Sequence, residues 1–371
     1  MSHILETRGL TYAYTTRQAE PSLDSVSVRI AEGARTAILG ANGAGKSTLF
    51  YHFNGIFKPK SGEVLYKGRP LEYTREALSA LRNEISVVVQ NPDEQIFSAT
   101  VEEDIAFGPM NMGMERDEIE KRIQSSLFKV GMEEYRTRPT IQLSYGQRKR
   151  VVLAGALATE PKVLILDEPT AGLDPQMSQE VIELVEELIA SGTTVIISTH
   201  DVDLAYSWAD EVHVLRRGKL AYSGKPEPFF EDRVQTYMSG LVLPHTFSVN
   251  HSVQSIRGLP AAPFPRTNSQ MLCKMLPDGA SVGRVRLVPV SDSLPEAPDG
   301  GRVGVYGSNA RRLFRAADRA PDFHFNAVEH CLMEAISGRD SVLYCDEGLK
   351  GAILERIGSM REFGKAVEVV M

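Results

Sequence analysis

Along this chain of 371 residues the spacing of apolar positions changes several times. Short apolar runs at 26–30, 85–89, 163–166 and 195–198 end in polar or glycine-containing stretches, the signature of buried strands. Between them stand longer segments with helical spacing. The clearest is 175–190, which opens on Pro175, a residue already set for the first helical position. Strands alternating with helices predict an α/β core whose loops gather at strand ends. Between about 91 and 158 the spacing turns helical, most plainly at 116–130 and 144–158, which predicts a helical subdomain inserted into that core.

After residue 238 the pattern breaks. The stretches LPHTFSVN, RGLPAAPFPRTN and SDSLPEAPDGG place prolines where helices cannot continue and strands are poorly tolerated. Residues 241–301 therefore read as a linker or loosely built subdomain, with one candidate strand at 285–290. From residue 302 regular spacing returns: strands at 302–306, 341–345 and 366–370, and helices at 309–317, 326–337 and 349–360. The expected division is a nucleotide-binding domain over 1–240, a proline-rich linker over 241–301 and a small α/β domain over 302–371.

Composition narrows the class. A hydrophobic share of 42% with 24% charged residues suits soluble globular domains, and the length suits two of them. The net charge of −7 recruits neither nucleic acid nor an anionic membrane surface. The first residues, MSHILETRGL, lack a basic segment leading into an apolar core, and no run of about 18 apolar residues is present to span a bilayer. The expectation is a cytoplasmic protein that leaves membrane work to other subunits. Cys273, Cys331 and Cys345 form no disulfide-rich pattern and read as reduced thiols.

Candidate chemistry begins at residues 40–47, GANGAGKS, which match G-x-x-x-x-G-K-[ST] between an apolar strand and a helical segment. Gly43 and Gly45 allow backbone conformations in which successive N–H groups point at phosphate oxygens. Lys46 adds a point charge for the β- and γ-phosphates, Ser47 a hydroxyl for Mg²⁺, and the helix opening there its positive end. The run VLILDE at 163–168 ends a buried-type strand in two carboxylates. Asp167 is expected to reach the metal, and Glu168 to polarise the attacking water beyond the γ-phosphate. PTAGLD follows at 169–174, and a further apolar strand leads to STHD at 198–201.

With LSYGQ at 143–147 added, the set resembles the nucleotide-binding subunit of an ATP-binding-cassette transporter over roughly residues 4–230. The resemblance implies a phosphate-loop NTPase fold that binds ATP and Mg²⁺. It implies a nucleotide site formed by Gly40, Ala41, Asn42, Gly43, Ala44, Gly45, Lys46, Ser47 and Thr48, with Tyr14 stacked on adenine. Gln90 matches the glutamine joining the metal to the membrane-subunit contact, His200 the histidine that touches the γ-phosphate, and Asp174 the acid of the loop crossing a dimer interface. Lys46, Glu168 and His200 carry the catalytic roles, and Ser47, Gln90 and Asp167 the metal. Ser144, Gly146 and Gln147 belong to the signature, where Ser144 caps a helix whose free N–H groups face the γ-phosphate of an ATP held by a second subunit. Tyr145 replaces the glycine of the common LSGGQ form, so its side chain must point away from that phosphate.

The segment VQNPDEQIFSATVEEDIAFGP at 89–109 is similar to the loop of energy-coupling-factor ATPases, above all the cobalt-import type, CbiO. This implies a peripheral ATPase at the cytoplasmic face of the membrane. Its partners are a second nucleotide-binding subunit, identical or not, a membrane coupling subunit and a substrate-binding membrane subunit. An ATPase for nickel or a vitamin is the alternative within the class. A soluble cassette protein of DNA repair or translation is the alternative outside it, disfavoured by the absence of a second cassette, coiled coil or zinc module.

The C-terminal region carries weaker signals. The run RVGVYGSN at 302–309 reads as an ordinary strand-to-helix turn before it reads as a phosphate site. His324, His330, Cys331 and Cys345 lack the tight paired spacing of a metal sensor and read as surface histidines and core cysteines. Its tethering to a complete ATPase suggests a regulatory role.

Overall fold

The computed structural model describes residues 2–15, 20–258, 260–277, 279–296 and 300–371. They form two compact units, Met1–Leu173 with Gly192–Leu243, and Asp174–Ser191 with Pro244–Met371.

The first unit holds an antiparallel sheet built on His3–Tyr12 and a six-stranded sheet. The latter runs in the order Lys219–Gly224, Glu211–Arg216, Arg35–Leu39, Thr194–Thr199, Val163–Asp167 and Ile85–Val88, parallel except for the first strand. Val163–Asp167 and Thr194–Thr199 are buried at every position, as expected of a parallel sheet covered on both faces. Each fully buried Val, Ile or Leu contributes about 1.5–3 kcal/mol, so these short strands anchor the unit. The register sets Leu39 beside Thr199 and Asp167 beside Ser198. The carboxyl ends that lead into Gly40, Glu168 and His200 therefore lie side by side.

Helices Val101–Asn111, Arg116–Val130 and Tyr145–Leu157 pack on one another where the helical subdomain was expected. The first begins in a reciprocal capping box between Thr100 and Glu103, which satisfies two otherwise free N–H groups. Among the described residues, no helix is long and apolar enough to cross a membrane.

The second unit differs from the sequence-based division in two ways. The stretch expected to be a linker contains helices His245–Arg257 and Asn268–Met275 and strand Arg284–Val290. That strand sits inside a four-stranded parallel sheet, ordered Arg302–Tyr306, Ser341–Asp346, Arg284–Val290 and Glu368–Val370. The unit also includes helix Pro175–Ala190, which the sequence assigns to the nucleotide domain by continuity. Its buried Glu183 pairs with Arg311 and accepts from Asn326 N at 3.0 Å. Its Glu187 accepts from the backbone N and the hydroxyl of Ser308 at 2.7 and 2.9 Å.

The same contacts explain the turn at 302–309. Asp346 accepts from Asn309 N and Ala310 N at 3.0 and 2.6 Å, so the helix Ser308–Ala316 has its N-terminus occupied by the chain's own carboxylates. Cys273, Cys331 and Cys345 are buried, and burial pushes the last two thiols up to about 12.

Candidate active site

The phosphate loop is held open by close packing. Gly45 has φ 110°, and a β-carbon there would approach Ser22 O to 2.7 Å. Helix Lys46–Phe53 follows, its first-turn N–H groups lacking intrahelical carbonyls and its positive end turned to the loop. Lys46 is buried; its Nζ donates to Gly40 O at 2.7 Å and lies 3.5 Å from Glu168 Oε1. Gly40 and Ala44 are buried with it, whereas Ala41, Asn42 and Gly43 are exposed along the loop's outer side. Tyr14 is 55% exposed and its hydroxyl lies 3.0 Å from Thr48 Oγ1, which brings an open aromatic face to the same helix.

Ser47 Oγ donates to Asp167 Oδ2 at 2.5 Å. A hydroxyl and a carboxylate, both hard oxygen donors, thus face one another beside the loop, a set that suits Mg²⁺ completed by phosphate oxygens and water. The other oxygen, Asp167 Oδ1, accepts from Ser198 Oγ. Ser198 also receives Glu168 N, at 3.1 Å on its carbonyl and 3.2 Å on its hydroxyl.

Glu168 is 5% exposed and takes φ 50°, a left-handed conformation costly for a side chain with a β-carbon. Its Oε2 meets His200 Nδ1 at 2.9 Å. After His200 the chain turns sharply because Asp201 caps the next helix, accepting from Asp203 N and Leu204 N at 3.0 Å. A buried carboxylate between an ammonium and an imidazole, beside the Ser47–Asp167 pair, can orient a water and accept its proton.

Ser144, Gly146 and Gln147 form a second locus. Helix Tyr145–Leu157 begins directly after Ser144, with Ser144 and Gln147 in a reciprocal capping box: Gln147 N donates to Ser144 Oγ and Ser144 N to Gln147 Oε1. The Gln90 carbonyl accepts from Tyr145 Oη at 3.3 Å. Asp174 caps Pro175–Ala190 through Met177 N at 2.8 Å.

Two residues at the site escaped the sequence reading. Ser198 joins the two residues of the 167–168 pair, donating to the Asp167 carboxylate and accepting from Glu168 N; its signal was a hydroxyl at the polar end of an apolar strand, two positions before His200. Lys149 is buried and donates to Glu168 O and Ala171 O at 2.9 and 2.8 Å. Nothing in its local sequence distinguishes it from the flanking arginines.

A parallel-sheet core with a phosphate loop, paired carboxylates at the neighbouring strand end and a separately capped helix defines an ATP-binding cassette. The family model "ABC transporter" matches residues 23–171. Energy-coupling factor transporter ATP-binding protein EcfA2 of Methanospirillum hungatei is 35% identical over 98% of this chain and 94% of its own length. The structure of CbiO1 from Clostridium perfringens, part of the ABC transporter complex CbiONQ, is similar at TM-score 0.58 and 41% identity, covering 69% of this chain and 96% of that one. The dimeric ADP- and phosphate-bound cassette MJ0796 is similar at TM-score 0.56 and 27% identity, covering 60% and 99%. The chain belongs to the energy-coupling-factor type of ABC transporter ATPases.

Proposed function

We propose that this ATPase energises import of a transition metal ion, with cobalt as the cargo, as the nucleotide-binding subunit of an energy-coupling-factor complex at the cytoplasmic face of the membrane. The observation that carries the cargo is the 41% identity to CbiO1, joined to the cobalt-type loop at 89–109. The reading includes a second nucleotide-binding subunit, a membrane coupling subunit and a substrate-binding membrane subunit.

In this reading ATP lies on the 40–48 loop with adenine against Tyr14. Ser47, Asp167 and Gln90 would hold Mg²⁺, which would supply positive charge to the β- and γ-phosphates. Glu168 takes the proton of the attacking water, and His200 and Lys46 hold the γ-phosphate. Two subunits pair head to tail so that Ser144, Gly146 and Gln147 of one present a helix N-terminus to the ATP of the other, with Asp174 at the crossing. Opening and closing pass to the membrane subunit through the Gln90 segment. The second unit acts as a regulator, a reading supported by its hold on helix Pro175–Ala190.

The test is uptake of labelled cobalt and nickel by cells carrying the chain with its membrane subunits, comparing the parent with Lys46→Ala. Cobalt uptake lost in the variant supports the reading. Loss of nickel uptake alone, or unchanged uptake of both metals, overturns cobalt and moves the ATPase to another substrate.

A further inference from the structure

Glu168 is held in its left-handed conformation from both sides. Its N–H is fixed on Ser198, and its carbonyl receives Lys149 Nζ at 2.9 Å. The same ammonium holds Ala171 O at 2.8 Å, so one side chain spans both ends of the 168–171 turn.

Lys149 is 5% exposed, and its hydrogen bonds go to main-chain carbonyls. Burial of an ammonium on these terms is expensive, and desolvation lowers its pKa to about 8. A surface lysine at this position would avoid that cost, so the burial calls for a compensating role.

Tyr145 lies one helical turn before Lys149, on the same face. The Lys149 ammonium stands 5.8 Å from the Tyr145 ring centre, and a β-carbon on Gly172 would come within 2.9 Å of Tyr145 Cε1. This contact shows where the side chain that replaces a signature glycine goes: against the turn after Glu168, with its hydroxyl on Gln90 O.

We propose that Lys149 is a positioning residue for hydrolysis, holding the Glu168 backbone to the helix that carries Ser144, with Tyr145 closing the same face over Gly172. Displacement of that helix moves the carboxylate of its own subunit. The proposal rests on Glu168 being the water-activating group.

The test uses the full chain and measures kcat, the KM for ATP with Mg²⁺, ATP affinity and the thermal midpoint for Lys149→Met, Lys149→Arg and Gly172→Ala. Misplacing a catalytic group by about 1 Å costs about 100-fold in rate, so Lys149→Met is expected to lower kcat between about 10- and 100-fold with KM changed less than about 3-fold. Lys149→Arg, which keeps a cation able to reach two carbonyls, restores most of the rate. Gly172→Ala, which pushes the turn off Tyr145 and leaves Lys149 in place, lowers kcat in the same direction and serves if Lys149→Met does not fold. A parental kcat in Lys149→Met, or equal losses of kcat and ATP affinity in both Lys149 variants, overturns the proposal. Parental hydrolysis in Glu168→Gln instead refutes the assignment of Glu168.

Discussion

His200 Nδ1 lies 2.9 Å from Glu168 Oε2, joining a ring that is 62% exposed to a carboxylate that is almost wholly buried. The open side of the imidazole faces solvent, and the other carboxylate oxygen of Glu168 lies 3.5 Å from the Lys46 ammonium. Parallel pairing of Thr194–Thr199 with Val163–Asp167 brings the two residues together across 32 positions of sequence.

Replacing Glu168 by Gln keeps the side-chain volume and removes the carboxylate proposed to accept the proton of the attacking water. Hydrolysis is expected to fall by about 10²–10⁴-fold, the usual contribution of general acid–base catalysis, while ATP affinity is retained. The variant then accumulates as an ATP-bound dimer. Single-turnover hydrolysis with size-exclusion chromatography in ATP and Mg²⁺ checks this, and a parental rate would refute the role.

His213 gives the first unit an acid-sensitive position. It is buried on strand Glu211–Arg216 with Nδ1 2.9 Å from Ser223 Oγ, and desolvation lowers its pKa from 6.5 to about 4. As pH falls from 6.5 towards 4, the unfolded chain binds a proton that the folded chain excludes. Stability present above pH 6.5 is therefore lost through this window, by about 3 kcal/mol at most. Thermal midpoints measured at pH 7 and pH 5 are expected to differ less in His213→Val than in the parent; equal differences would remove His213 as the cause.

Arg311 and Glu183 test the hold of the second unit on helix Pro175–Ala190. Their pair is buried, so Arg311→Leu leaves a carboxylate without its cation and is expected to cost about 3–5 kcal/mol. The double variant Glu183→Leu/Arg311→Leu removes both charges and is expected to recover most of that loss. Chemical denaturation of the three proteins checks the order. A single variant as stable as the parent would show that the pair is solvated.

The phosphate loop, the 167–168 carboxylates and the Ser144 cap were readable from sequence because each depends on neighbours within a few residues. Lys149 and Ser198 were not, since their partners lie 22 and 31 positions away at most, and only helix packing for the first and strand register for the second bring them close. The linker reading failed at His245–Arg257 and Asn268–Met275, helices that lie between the prolines of this stretch rather than across them, whereas the strand expected at 285–290 forms as Arg284–Val290 with Pro289 near its end in the sheet interior. Proline disfavours central strands because it lacks a donor, but here Val285, Leu287 and Val290 are buried and hold the strand in place.

By itself the amino-acid sequence determined the alternation of strand and helix, the nucleotide loop and the signature helix, all set by local spacing and by residues whose chemistry acts at short range. The tertiary structure alone decided that Glu168 is pinned between Ser198 and Lys149, and that Tyr145 reaches Gly172 and Gln90. It also decided that Pro175–Ala190 belongs with the second unit. Each of these depends on which distant groups are buried together, because a desolvated charge or backbone group takes whichever partner the packing brings within hydrogen-bonding distance.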